Sequence, residues 1–306
     1  MKIIVGAGIA CIDHIVVSPQ VQWGDTALIS KYSIMPGGLV AMALIACSRL
    51  GAETRILTPL GDDEPGDMVA AELEKEHVDL TGAMRINGGK TPFSFIHVNA
   101  ESGERTIFHR SGSGLDSGVD PEHLSILDQS SVLLVDDIYP GMSIAAAKYA
   151  HSRSIPVVAD MIPNDANAEL LRNVDILIAP SHFLRETSNC DDPYAALDMI
   201  HEIGPATALI TLGSDGYVWS HGGAKGRGNA FKVDAKDTTG AGDVFHGAFA
   251  FGVAQQWSIP DCAEFASAVA AIKCMGTGPG ALPSYNQTVE FLLRNGSIKW
   301  KDISVG

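Results

Sequence analysis

The chain has 306 residues, 46% of them hydrophobic and 19% charged, with 32 glycines. That composition excludes a disordered or fibrous protein and suits an α/β globule with a sizeable core and many tight turns. With 36 acidic residues against 21 basic ones the formal net charge is −15, so the surface as a whole repels phosphate backbones and anionic headgroups, and neither nucleic acid nor a membrane is an expected partner. An anionic substrate then needs local help from a cation, a few placed Lys or Arg side chains, or a helix N-terminus.

The five cysteines (Cys11, Cys47, Cys190, Cys262 and Cys274) are scattered, with no C-x-x-C pair and no histidine at metal-ligand spacing, and read as free thiols. The N-terminal MKIIVGAG leads into a strand without a basic region and a long apolar run, and no apolar stretch reaches membrane-spanning length, so a cytoplasmic protein is expected.

In chain order, the pattern predicts a strand at Lys2–Val5, a break over 13–36, a helix over Leu39–Leu50, a strand at Thr54–Leu57 and a helix over Glu64–His77. Residues 90–112 interrupt the rhythm with two strands around the polar Glu101–Glu104 turn. Nearly continuous apolar runs follow at Ser131–Val135, Ile155–Ala159, Asp175–Ile178 and Thr207–Thr211, as strands covered on both faces should look. Further strands are predicted at Tyr217–Ser220 and Ala230–Val233, then helices over Ala241–Gln255, Asp261–Met275 and Gln287–Arg294. The reading is a doubly wound, mostly parallel sheet flanked by helices in one domain spanning 1–306. The insertions at 13–36 and 90–112 form a small antiparallel lid over the carboxyl edge of that sheet, where open α/β folds bind ligands.

Asp237-Thr238-Thr239-Gly240-Ala241-Gly242-Asp243 runs straight into the apolar helix VFHGAFAFGVA. A Gly-rich loop at a helix N-terminus binds anions, because the glycines admit close approach and unpaired N–H groups point outward with the positive end of the macrodipole behind them. A phosphoryl group in transfer, its charge spread over three equatorial oxygens, has that need. Asp243, one residue inside the turn, is the natural general base toward an acceptor hydroxyl, and the helix terminus is expected to favour its ionised form. The competing explanation, a capping Asp, requires neither the two glycines nor the upstream Asp.

DTTGAGDVFHGAFAFG resembles the C-terminal signature of the PfkB/ribokinase family of carbohydrate kinases. The resemblance implies a ribokinase-like fold, ATP and Mg²⁺ as cofactors, Asp243 as base, and Gly240, Ala241 and Gly242 as the anion hole. It assigns Asp237 and Thr239, with Gly280 and Ser284 from the later GALPS segment, to a monovalent-cation site, so K⁺ is a further candidate. The N-terminal signature is matched by Gly37-Gly38, Leu50-Gly51 and Gly61-Asp62-Asp63; Asp13 corresponds to the family's early substrate-binding Asp, and Met42 stands where an Asn often touches sugar hydroxyls. Thr211-Leu212-Gly213-Ser214-Asp215-Gly216 resembles the strand-turn along the nucleotide, which gives Thr211, Gly213, Ser214 and Gly216 an ATP-binding role, with Ala268 and Lys273 bordering the adenine. The family's N-x-x-E motif is replaced by Ser181 and Leu184, leaving magnesium to ATP, water and Asp160 or Glu186.

FASAVAAIKC together with DTTGAGDVFHGA looks most like fructose-type and 6-deoxy-6-sulfofructose kinases, and an anionic tail on the substrate would meet Lys31, Lys90, Arg105 or Arg110. Nucleoside and other small-alcohol kinases share the same machinery, and a catalytically silent sugar- or nucleotide-binding protein is the alternative of another class. Lid strands of this family often pair between subunits, which implies a homodimer. Gly6-Ala7-Gly8 lacks the third glycine of a dinucleotide fingerprint, and no GxxxxGK[ST] run occurs.

Overall fold

The apolar runs of the sequence lie side by side in one large sheet. The computed structural model describes residues 2–301 and 303 apart from 20, 23, 103, 117 and 187–189, with the backbone alone at 185 and 186. Its strands are β1 (Ile3–Ala7), β2 (Cys11–Ser18), β3 (Lys31–Gly37), β4 (Glu53–Gly61), β5 (Val78–Ile86), β6 (Phe93–Asn99), β7 (Arg105–Arg110), β8 (Val132–Val135), β9 (Val157–Asp160), β10 (Ile176–Pro180), β11 (Thr207–Thr211), β12 (Tyr217–His221) and β13 (Ala224–Gly228). The helices are α1 (Leu39–Arg49), α2 (Glu64–Lys75), α3 (Pro121–Leu124), α4 (Pro140–Ser152), α5 (Ala168–Leu171), α6 (Phe183–Glu186), α7 (Pro193–Ile203), α8 (Ala241–Ala254), α9 (Ile259–Cys274) and α10 (Tyr285–Arg294).

Nine strands form the large sheet in the order β13-β12-β11-β10-β9-β8-β1-β4-β5. Pairing is parallel except at the β11-β12-β13 edge. Alternate residues along β1 enter different apolar clusters, Ile4 with α1, α8 and α9 on one face and Val5 with α4 and α7 on the other. Helices therefore cover both faces, as the unbroken apolar strands require. The helices α1 and α8 cross closely, because a Cβ on Gly247 would lie 2.2 Å from the Ala43 carbonyl oxygen. The Cys47 thiol donates to the Gly247 carbonyl at 3.1 Å beside that crossing. It brings the starts of both helices to the same edge of the sheet.

The strand expected at Ala230–Val233 is instead β13 at Ala224–Gly228. Gly222 and Gly223, with φ of 57° and 81°, make the two-residue hairpin turn that only left-handed residues allow. The apolar pattern missed it because β13 is an exposed edge strand whose Gly226 and Gly228 lie under the rings of Trp219 and Tyr217.

The two insertions pair as a second, four-stranded sheet in the order β3-β2-β6-β7. Its outer pairs are antiparallel and its central pair, β2 with β6, is parallel, since the two insertions leave the large sheet in the same direction. The registers put Met35, Asp13, Ser94 and His109 in one cross-strand row, and Ile34, His14, Phe95 and Phe108 in the row on the opposite face.

Candidate active site

The segment before α8 folds as a Gly-rich turn at the helix N-terminus. Gly240 adopts φ 70°, a left-handed conformation that glycine takes without strain, and turns the chain into the helix. Thr239 N–H donates to Asp237 Oδ1 at 2.9 Å, and Ala241 N–H donates back to the Thr238 carbonyl at 3.2 Å. Gly242 is exposed, with no atom within 4 Å of where a Cβ would stand. Of the three residues expected to form the hole, Ala241 thus spends its N–H on the loop, and the opening lies over Gly242.

Asp243 stands beside this opening, its Oδ2 3.5 Å from the Cβ position of Gly240. The expectation that the helix terminus lowers its pKa is corrected: the carboxyl is pushed up to about 7. Burial is the main cause, the Asp160 and Asp13 carboxylates add to it, and His246 opposes it. Three carboxylates around one pocket cost more than a helix dipole returns.

His246, one turn further along α8, is buried and was not singled out in the sequence. Its Nδ1 lies 2.7 Å from the Gly242 carbonyl and 3.2 Å from Asp160 Oδ2, and its Nε2 lies 3.0 Å from the Ile178 carbonyl. Both ring nitrogens therefore face oxygen atoms. The ring ties the start of α8 to the end of β9 and the middle of β10.

The opposite wall comes from the small sheet and α1. Gly37 leaves room for Asp13, since a Cβ there would sit 2.6 Å from Asp13 Oδ2. Gly38, at φ 99°, precedes α1 where a Cβ would strike the Ile9 carbonyl at 2.6 Å. Burial raises the pKa of Asp13, while hydrogen bonds from Ser94 and Cys11 and the neighbouring His109 and His14 hold it down. Ser94 and His109, 3.3 Å apart, were also missed; the period of two that places them on the face of Asp13 was the available signal. Met42, the residue at the expected sugar-contact position, is buried, with its methyl group 4.0 Å from the Cβ position of Gly240 in the Gly-rich loop.

Thr211 ends β11 and the Gly213–Asp215 turn follows, closed by Leu212 N–H on the Gly216 carbonyl at 2.7 Å. Gly216, at φ 87°, is demanded by the hairpin, where a Cβ would lie 2.0 Å from the Gly228 carbonyl. Ala268, expected beside the adenine, is wholly buried in the core. Lys273 is likewise drawn away from an adenine role, with its ammonium on Asp237 Oδ2, the Asp237 carbonyl and the Thr239 carbonyl. Burial alone would raise the pKa of Asp237, but its bonds from Thr239 and the Lys273 charge lower it.

Arg105, expected at the substrate, touches the loop, with Nη1 3.6 Å from Asp237 Oδ1 and Nη2 3.3 Å from Thr238 Oγ1. Met35 of β3 packs on Gly278, whose Cβ position is 2.3 Å from the Met35 sulfur. Both contacts join the small sheet to the anion-loop side of the cleft. Arg110 is engaged with Asp63 at 3.6 Å and the Thr91 carbonyl at 2.8 Å, whereas Lys31 and Lys90 are exposed.

Among the described residues no group of three or more His, Cys, Asp or Glu side chains could hold a metal ion. Asp160 is turned to His246, and the Glu186 side chain lies outside the described residues. A magnesium ion that arrives on a nucleotide and keeps its waters fits this chain better than a caged one. No helix among the described residues is long and apolar enough to cross a membrane.

Comparison with known proteins is consistent along most of the chain. Residues 1–284 match the family described as pfkB family carbohydrate kinase. The chain is 30% identical over 291 residues to a protein named ribokinase from Haemophilus influenzae, covering 92% of this chain and 95% of that one. It is 28% identical over 286 residues to one named probable fructokinase-3 from Arabidopsis thaliana, covering 84% and 81%. The solved structure of Arabidopsis thaliana ribokinase complexed with ribose and ATP superposes with a TM-score of 0.85 at 23% identity, covering 95% of this chain and 99% of that one. The fold is ribokinase-like, with the large mostly parallel sheet, flanking helices and small accessory sheet expected from the sequence.

Proposed function

Because the chain belongs to the pfkB family of carbohydrate kinases, we propose that it transfers the terminal phosphoryl group of ATP directly to a hydroxyl of a small, ketohexose-like sugar, with Asp243 as general base. The observation that carries this reading is the Asp243 carboxylate beside the open Gly242 turn at the N-terminus of α8, with Asp13 on the facing wall. ATP, with its magnesium ion, supplies the phosphoryl group. Asp13, Ser94 and His109 orient the sugar hydroxyls, Asp243 accepts the proton of the attacking one, and the Gly242 turn takes up the charge that develops on the phosphoryl oxygens. A carboxyl pushed up to about 7 suits a base that works near neutral pH.

The relatives named ribokinase and fructokinase support a sugar acceptor. Met42 beside the catalytic loop offers a methyl where an amide would bond a hydroxyl, which favours a sugar presenting fewer polar groups there. The small sheet is the lid, and its outer face carries Tyr32, Phe95 and Phe108, about half exposed each. That apolar face supports a homodimer closed through the lids, and light scattering that finds monomer at all concentrations would remove this part.

The test is ADP release over ketoses, aldoses, sulfosugars and nucleosides, with the product identified by ³¹P NMR. A phosphate ester formed on one sugar supports the reading. A nucleoside monophosphate would replace the substrate class, and ATP binding with no ester on any acceptor would replace the activity with a binding role.

A further inference from the structure

The oxygens that a monovalent cation beside the anion loop would need are already in use. The Lys273 ammonium lies 3.1 Å from the Asp237 carbonyl and 3.4 Å from Asp237 Oδ2, and it also donates to the Thr239 carbonyl. Three donors meet three acceptors, which completes the inventory of an ammonium group. The side chain is only 1% exposed. The lysine is fixed at its root as well, because the neighbouring Cys274 carbonyl accepts Lys236 N–H at 2.8 Å and Asp237 N–H at 3.2 Å.

The other half of the cation site does not fit either. Ser284 Oγ is spent as the cap of α10, accepting from Gln287 N–H at 3.4 Å. The carbonyls of Gly278 and Pro279 close their own turn onto Ala281 and Leu282. K⁺ binds through several oxygens converging on one point, and here they converge on nitrogen.

We propose that Lys273 is a built-in monovalent cation: its ammonium holds the Asp237–Thr239 backbone and supplies the fixed positive charge beside the Gly240–Gly242 turn, so the protein needs no K⁺. This rests on the kinase reading only for its activity arm. Lys273 acts as a positioning residue, through the loop rather than on the substrate. Drawing Asp237 and Thr239 together holds Gly240 in its left-handed conformation and keeps Ala241 N–H on Thr238, which leaves the Gly242 turn open toward the phosphoryl site. A tethered charge also costs less entropy to place than a free ion.

The experiment compares wild type, Lys273→Ala and Lys273→Met in potassium chloride and in tetramethylammonium chloride at equal ionic strength, by thermal unfolding and by sugar-dependent ADP release. Wild type is expected to unfold at the same temperature in both salts and to turn over within about twofold in both, since an ion with no site cannot add binding energy to the folded state. Lys273→Ala, with its cavity lined by three oxygens, is expected to lose activity about tenfold or more in tetramethylammonium and to recover part of it, with a higher unfolding temperature, in K⁺ or NH₄⁺. Lys273→Met, which fills the space without charge, stays low in both salts.

A saturable, K⁺-specific rise in the unfolding temperature of wild type would overturn the proposal, and that arm needs neither a variant nor a known sugar. Full activity of Lys273→Ala in tetramethylammonium would overturn it as well. If no acceptor is turned over, the kinase reading fails while the thermal comparison still decides the cation question.

Discussion

The two walls of the cleft manage charge in opposite ways. Around the Asp237–Asp243 loop the charged groups are locked to one another: Lys273 to Asp237, His246 to Asp160, and Arg105 across to Asp237. Asp243 there faces the opening with a raised pKa. The small sheet is held loosely by comparison. All six residues of β7 are exposed, and its links to the loop wall include the Arg105 pair and the packing of Met35 on Gly278. The loop wall is tied down by its own ion pairs, whereas the outer strand of the sheet wall is exposed along its length.

Substitutions on each wall sharpen that difference. Asp243→Asn removes the base while keeping the shape, and kcat should fall about 10²- to 10⁴-fold with ATP affinity retained by calorimetry. Asp13→Asn on the sheet wall weakens a charged hydrogen bond to the sugar, and kcat/KM should drop about 10- to 100-fold, read as sugar-specific if ATP affinity is unchanged. Gly247→Ala drives a methyl into the Ala43 carbonyl where α1 and α8 cross. It should cost roughly 1–3 kcal/mol in urea unfolding, because the obstacle is backbone. Arg105→Ala cuts the solvent-exposed latch; stability should change by less than about 1 kcal/mol while KM rises severalfold. A large stability loss from Arg105→Ala, or none from Gly247→Ala, would break the contrast.

The sequence could be read furthest where chemistry and local pattern coincide. The apolar strands of the large sheet, the helices they alternate with and the Gly-rich turn before α8 are written in consecutive residues, so periodicity and glycine placement suffice. β13 escaped because an exposed edge strand of Ala, Lys, Gly and Arg carries no apolar period. His246 escaped, and Lys273 was assigned to the adenine rather than to the loop, for another reason. On a helix of mostly small and apolar residues, one Lys or His has no partner in sequence; Asp237 is 36 residues from Lys273, and Ile178 is 68 residues from His246. The pKa of Asp243 was misjudged for the same cause, since Asp160 and Asp13 reach it only through the fold. Local sequence announces a helix dipole, whereas desolvation and distant carboxylates appear only once the chain has closed around them.

The most direct measurement is kcat/KM for the phosphorylated sugar as a function of pH on the wild-type protein, since this quantity reports the ionisation of the free enzyme's base. The raised carboxyl must be ionised to accept the proton, so below its pKa the active fraction falls as pH falls. The account predicts a rising limb of about tenfold per pH unit on the acid side that levels off near an apparent pKa of about 7. A profile that is flat down to the ordinary range of an exposed aspartate would contradict Asp243 as the buried base on which this account of the site rests.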